Sequence, residues 1–375
     1  MRIGYDAKRL FLNNTGLGNY GRWLISTLAS FYPNNSYFLY TPKSEDNART
    51  KPITALSNTQ TILPKRQVLT SWWRTKGIIK YLLRDGVDIY HGLSHELPYG
   101  IRKSGIKSVL TVHDLIFIRF PQYFGMVSRA IYLAKLRYAC RVADRIIAIS
   151  QRTKDDLIEL LDVPSQKIDV VYQGCDASFK TVCTDKQKAA VLKKYNIQGQ
   201  YILSVGTIEE RKNLLVLIKA MARTEPNLKL VVVGKQKEYA ELIKRVIHQY
   251  QLTDRMIFLS NIDFADLPAL YQAASVFVYP SRYEGFGIPI LEALESGIPV
   301  IAATGSCLEE AGGPGSLYTI PDDDINLAYQ INRVLTDTEL RQKMIATGHE
   351  YARNFDDDKL AAQLMAVYQN TMNNA

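Results

Sequence analysis

The sequence predicts an α/β protein made of two doubly wound, Rossmann-like domains facing a cleft. Three observations carry that expectation. Short β-rich runs alternate with helical stretches from end to end, the alternation restarts once near Tyr201, and 375 residues exceed what one compact core holds. In the first half the runs are Arg2–Tyr5, Tyr37–Tyr40, Ile89–His91, Ser108–Val112 and Arg145–Ile149, with helical patterns between several of them, as at Tyr20–Phe31 and Val127–Ala143. In the second half they are Tyr201–Val205, Leu228–Val233, Met256–Leu259, Val276–Tyr279 and Val300–Ala303. Such alternation means parallel sheets covered by helices on both faces. The polar stretch Cys175–Asn196 sets the seam, giving domains 1–182 and 183–355, with 356–375 a final helix packing back on the first domain. In doubly wound sheets ligands bind beyond the carboxyl ends of the strands, so chemistry is sought there.

Apolar residues make up 47% of the chain, as in ordinary globular enzymes, and no apolar run approaches the roughly 20 residues of a membrane span. The start, MRIGYDAKRL, reads as a first strand and not as a signal peptide, so a cytoplasmic chain is expected. Four scattered cysteines fit reduced thiols. His91 and His95 stand four apart, but Gly92 and Pro98 suggest a loop and no further ligand is evident, so no metal is expected there.

The formal charge of +9 calls for an acidic partner or surface, and nucleic acid is not the expected one. Lys65, Arg66, Arg74, Lys76, Lys80 and Arg84 lie within Lys65–Arg84 with no acid among them, interleaved with Trp72, Trp73, Ile78, Ile79, Leu82 and Leu83. A basic amphipathic segment with tryptophan fits the headgroups of an anionic membrane, so peripheral contact with its inner face is one expectation. An ordinary surface helix with a core-facing apolar side is the other. A second basic stretch runs from Arg129 to Arg141.

Gly16-Leu17-Gly18-Asn19-Tyr20-Gly21 matches G-x-G-x-x-G, the dinucleotide fingerprint. It stands too far beyond its strand, and Thr41-Pro42-Lys43 replace the acid due at the end of the next one, so nicotinamide binding is not expected. Gly16 and Gly18 remain candidates for backbone approach to a phosphate at a helix N-terminus, against a purely structural tight turn.

The most informative segment is Pro280-Ser281-Arg282-Tyr283-Glu284-Gly285-Phe286-Gly287-Ile288-Pro289-Ile290-Leu291-Glu292-Ala293, which follows an apolar strand. Gly285 and Gly287 allow a tight loop, and Pro289 suits the first turn of a helix whose free N–H groups would face a diphosphate. Glu284 on the loop and Glu292 in the expected first turn suit pairs of sugar hydroxyls. Upstream, Gly206 ends a strand and Arg211-Lys212 could stabilise charge on a departing diphosphate.

These residues resemble the E-x7-E motif of family 4 glycosyltransferases of GT-B fold, and the match continues through Gly297–Ala302 and in Ser204–Asn213, Thr111–Leu115 and Ala148–Thr153. The resemblance implies that Glu284 contacts the donor sugar, Glu292 the ribose, and the amides of Phe286, Gly287 and Ile288 the sugar and diphosphate. It implies that His113 approaches the donor sugar, with Asp114 orienting the loop or the histidine. Thr207 stands where many relatives carry arginine, and Arg211 is expected to serve instead, as in a mannosyltransferase-like branch. Ser150 is expected to cap its helix. The base pocket is placed near Gly234-Lys235 and Ser260-Asn261-Ile262, where relatives often have glycine at the position of Asn261.

The implied activity is retaining, metal-independent transfer of mannose from GDP-mannose to a glycan or polyprenyl-linked acceptor in cell-surface polysaccharide (lipopolysaccharide) synthesis, with no cofactor beyond the nucleotide-sugar substrate. UDP- or dTDP-sugars, an epimerase, and a non-catalytic nucleotide-sugar-binding partner are the alternatives; a phosphorylase would be far longer. Asp322–Asp324 and Asp356–Asp358 match the metal motif D-x-D of other transferases but read as solvated or helix-capping acids.

Overall fold

The computed structural model describes residues 1–13, 15–65 and 70–373. The chain forms two compact units, Met1–Gly174 with the segment from Phe355 onward, and Cys175–Asn354. In the first, β1 (Arg2–Asp6), β2 (Ser36–Tyr40), β3 (Thr59–Ile62), β4 (Ile89–Gly92), β5 (Lys107–Val112), β6 (Arg145–Ala148) and β7 (Ile168–Val170) make a parallel sheet in the order 3-2-1-4-5-6-7. In the second, β8 (Tyr201–Val205), β9 (Lys229–Val233), β10 (Met256–Leu259), β11 (Val276–Tyr279), β12 (Val300–Ala303) and β13 (Leu317–Thr319) make a parallel sheet in the order 10-9-8-11-12-13. Strand order reverses between β1 and β4 in one sheet and between β8 and β11 in the other. Those are the two switch points where ligands are expected.

The strands missing from the sequence reading are β3, β7 and β13, each at a sheet edge. The interior strands β4, β11 and β12 are buried at every residue and read as apolar runs. An edge strand such as Thr59-Gln60-Thr61-Ile62 is half covered and lacks that signature. The seam falls earlier than the polarity of Cys175–Asn196 suggests, because this segment packs on the second unit. The Phe179 ring meets Tyr271 edge-on at 5.4 Å, and the Cys183 amide donates to Gln272 Oε1 at 2.8 Å.

The last helix, Asp357–Asn373, belongs to the first unit. Asp357, half-buried in the first turn of this helix, accepts from Trp23 Nε1 at 2.8 Å, so this acid of the second D-x-D match has a protein partner besides solvent. The Tyr368 hydroxyl lies 2.7 Å from His91 Nδ1, and His91 Nε2 lies 2.7 Å from Thr111 Oγ1. His91 lies in β4, as the run Ile89–His91 predicts, and both its ring nitrogens are engaged. Burial, helped by nearby His113, lowers its pKa to about 3 and keeps the ring neutral.

Two further segments differ from their sequence reading. Gly16 and Gly18 form the first turn of the helix Gly16–Phe31 and not a tight turn before it. A Cβ on Gly18 would come 1.8 Å from the Asn13 carbonyl oxygen, so glycine is required there by close backbone approach. The basic segment is not one amphipathic helix. It runs Thr70–Trp72, a π-helical turn Trp73–Gly77, and Ile78–Arg84, with Arg66 outside the described residues. Trp73 is buried, whereas Trp72 and Leu83 are exposed.

Candidate active site

The second sheet's switch point gathers the charged residues of both motifs. Gly206 follows β8 with φ 153°, and its amide donates to the Val233 carbonyl at 2.9 Å. A Cβ on Gly234, at the end of β9, would come 1.9 Å from the Gly206 oxygen. The loops after β8 and β11 are joined by the Arg282 amide donating to the Arg211 carbonyl at 2.9 Å. This fixes Arg211 and Lys212 against Glu284, though the chain separates Lys212 from Glu284 by 72 positions.

Glu284 Oε1 is the hub. Lys212 Nζ lies 2.5 Å from it, Ser281 Oγ 2.6 Å, Arg211 Nη1 2.9 Å and Tyr279 OH 3.2 Å. Burial alone would raise the Glu284 pKa, but Lys212 and then Arg211 outweigh it and hold the carboxyl at about 2. Burial lowers the Lys212 pKa, with Glu284 opposing. Arg211 also donates to Glu209 Oε1 at 2.8 Å, and Lys237 lies 2.5 Å from Glu209 Oε2. Three cations thus face two carboxylates, a local excess of positive charge suited to a diphosphate.

The helix Ile288–Glu295 begins beside this hub with Gly287 as its cap at φ 120° and Pro289 in the opening turn. Among the described residues the amides of Gly287 and Ile288 donate to no protein acceptor, which leaves them for an anion. The Cys307 thiol reaches the Glu284 carbonyl at 3.1 Å and the Phe286 carbonyl at 3.0 Å, clamping the loop from behind. Glu292 is the fifth residue of the helix, so it lies in the second turn, not in the expected first. It is buried, and its Oε2 accepts from Tyr271 OH at 2.8 Å. Burial raises its pKa to about 7, with the Tyr271 bond opposing and Asp176 adding to the rise.

Along the same carboxyl edge, Ser260 Oγ donates to the Gly234 carbonyl at 3.1 Å, bringing the segments of the expected base pocket together. Asn261 adopts φ 56°, the conformation that glycine takes readily, and Ile262 follows it half-buried. Asp323 caps the helix Asp324–Thr336, while Asp322 pairs with Arg282 beside the hub and so is not merely solvated.

In the first unit His113 lies just beyond β5, buried, with Nε2–H donating to the Leu93 carbonyl at 2.8 Å. Burial, then His95, lowers its pKa to about 3. Nδ1 is the ring atom left for a ligand, as a neutral acceptor. Asp114 Oδ1 accepts from the Ile116 amide at 3.1 Å and so orients the loop. Ser150 accepts from the Thr153 amide as the cap of Gln151–Leu161.

Tyr279, Ser281, Cys307 and Tyr271 escaped the sequence reading. Ser281, three residues before Glu284, was the one readable hint, since a short loop can turn a hydroxyl onto its own carboxylate.

Residues 187–351 match the model of glycosyl transferases group 1, and residues 34–179 that of glycosyltransferase family 4. The chain is 27% identical to O-antigen chain mannosyltransferase B of Escherichia coli over 98% of its own length and 100% of that protein. It is 27% identical to O-antigen chain mannosyltransferase RfbU of Salmonella typhimurium over 78% of its length and 76% of that protein. Among solved structures it is similar to Anabaena HepE in complex with UDP-glucose, at 18% identity and TM-score 0.77, covering 99% of this chain and 100% of that one. It is also similar to WaaG, a glycosyltransferase involved in lipopolysaccharide biosynthesis, at 18% identity and TM-score 0.73, covering 98% and 99%. Both structural likenesses speak for the two-domain fold.

Proposed function

The chain belongs to the glycosyltransferases, family 4 in its first domain and group 1 in its second, and on that premise we propose that it transfers mannose from GDP-mannose, with retention, to a glycan or polyprenyl-linked acceptor in cell-surface polysaccharide synthesis. The observation that carries the reading is the meeting of Arg211, Lys212 and Glu284 at a switch point beside a helix start. Two mannosyltransferases of O-antigen chains among the relatives support the sugar and the pathway class.

In the proposed reaction the bond from the anomeric carbon to the diphosphate breaks as the acceptor oxygen bonds to the same face of that carbon. The acceptor's proton passes to the leaving diphosphate. Lys212, Arg211 and the amides at Gly287 and Ile288 stabilise the growing phosphate charge. Glu284 orients the donor sugar through its hydroxyls and Glu292 holds the ribose, while in the first unit His113 Nδ1 is the acceptor offered to a sugar hydroxyl. The same two cations make turnover in excess chelator the expected result; loss of turnover restored by Mn²⁺ would overturn the metal-independent part.

Calorimetric titration with GDP, UDP, dTDP and ADP tests the donor site, with Glu292→Ala as control. Selective binding of GDP, weakened in the variant, is expected. Selectivity for UDP or dTDP would replace the donor. No binding by any of the four would defeat the transferase mechanism and favour a role without donor turnover.

Contact with an anionic membrane is part of the proposal. No described helix is long and apolar enough to cross a bilayer. Exposed Trp72 and Leu83 support surface contact, and so does the helix Met126–Val142, where Met126, Val127, Ile131 and Tyr132 are exposed beside Arg129 with no acid on the helix. Co-sedimentation with anionic but not neutral vesicles is expected, and equal recovery with both would exclude it.

A further inference from the structure

Tyr279 closes β11 at the second sheet's switch point and is 3% exposed. Its ring stacks on Phe277 of the same strand, with centres 5.9 Å apart and planes 20° from parallel, and this fixes where the hydroxyl points. That hydroxyl lies 2.7 Å from Lys212 Nζ and 3.2 Å from Glu284 Oε1. Lys212 reaches it from the other side of the switch. The lysine stem lies across Gly206, just beyond β8, where a Cβ would meet the side-chain carbons at 3.6 Å.

Donor and acceptor roles follow from the groups themselves. An ammonium only donates, so the phenol oxygen accepts from Lys212 and its own proton is turned toward Glu284 Oε1. Burial, then the Glu284 carboxylate, pushes the phenol pKa well up, so that proton stays in place. With Nζ 2.7 Å from the oxygen and 5.0 Å from the ring centre, the ammonium lies off the hydroxyl end of the ring and not over its face. The oxygen holds it, not the π system.

Lys212 needs such a hold, because a lysine ends a flexible stem and one ion pair leaves its ammonium free to shift. Two acceptors on different segments, Tyr279 on the strand and Glu284 on the loop, fix two of its N–H directions, and tetrahedral geometry then fixes the third. Among the described residues that third N–H has no acceptor, so it is the one left for the diphosphate. Arg211 is held otherwise, by Glu209, Glu284 and the Tyr283 carbonyl. Glu284 keeps Arg211 and Ser281 even without the phenol. The Tyr279 hydroxyl is therefore decisive for Lys212 alone.

We infer that Tyr279 is a positioning residue for the transfer: its hydroxyl aims the Lys212 ammonium at the leaving diphosphate. The assignment rests on the transferase reading and is tested on the full chain. Tyr279→Phe keeps the ring and its stacking on Phe277, so the fold is retained. With the nucleotide-sugar whose base calorimetry selects, kcat of this variant is expected to fall roughly tenfold to a hundredfold, as for loss of a hydrogen bond to a charged group. Donor KM and nucleotide affinity should stay at wild-type values. In a Lys212→Ala background the same replacement should change kcat by less than about twofold, because the group it aims is gone. A merely structural role would act alike in both backgrounds. Normal kcat in Tyr279→Phe, a loss confined to KM, or equal losses in the two backgrounds overturns the assignment. Wild type without turnover of any nucleotide-sugar is the separate failure of the transferase reading, and the assignment falls with it.

Discussion

Lys212→Ala is expected to lower turnover by two orders of magnitude or more while nucleotide still binds. Loss of one preorganised electrostatic contact typically removes about 2.7–4 kcal/mol of transition-state stabilisation. Lys212 meets the conditions for that range. Its Nζ lies 2.5 Å from Glu284 Oε1 and 2.7 Å from Tyr279 OH, and it sits 5.0 Å from the centre of the Tyr279 ring. The ammonium is thus aimed before substrate arrives, in a place where water screens it weakly. Without it, Arg211, Ser281 and Tyr279 still hold Glu284, so the loop should keep its shape and the defect should fall on kcat. The check is kcat at saturating donor, with calorimetry to show that the nucleotide site survives. Near-normal turnover would remove Lys212 from the proposed chemistry. Lys212→Arg should recover only part of the loss, because a planar fork cannot reproduce a compact point charge in the same space.

Legibility in the sequence followed burial and local spacing. The interior strands announced themselves as apolar runs, as Val276-Phe277-Val278-Tyr279 does, because helices cover both faces. Ile168-Asp169-Val170 and Leu317-Tyr318-Thr319 lie at sheet edges, where one flank lacks a partner and the apolar pattern lapses. Glu284, Glu292, Arg211 and Lys212 could be picked out because each stands in a compact Gly/Pro or cationic frame. Their pairing could not, since it depends on which strands become neighbours. Tyr271 and Cys307 are core residues whose polar atoms face the site, and no local motif marks them.

Glu292→Gln should make the protein more stable at pH 8 and yet weaken its hold on nucleotide. Burial raises the carboxyl from its ordinary 4.5 to about 7. A folded-state pKa above the unfolded one means that the folded state binds the proton more tightly. The resulting stability is fully present below pH 4.5, declines as pH rises through the window to about 7, and is absent at pH 8. Relative to a neutral side chain, the ionised carboxylate therefore costs the fold about 3 kcal/mol at pH 8, since each tenfold difference in proton affinity between folded and unfolded chain is worth about 1.36 kcal/mol. Glutamine carries no charge to desolvate and can still accept from Tyr271 OH, so the variant should unfold at a higher temperature than wild type at pH 8 and at nearly the same temperature at pH 4. In its proposed role the ionised carboxylate accepts ribose hydroxyls, so wild-type affinity for nucleotide should fall as pH drops through 7. The variant should bind weakly with a flat profile. Thermal scans and calorimetric titrations at pH 4, 6 and 8 read both effects, within the range where wild type stays folded. A variant that is less stable than wild type at pH 8 would contradict the strained-carboxylate account. A wild-type affinity indifferent to pH would separate Glu292 from the ribose. Both together would return this glutamate to the core that surrounds it.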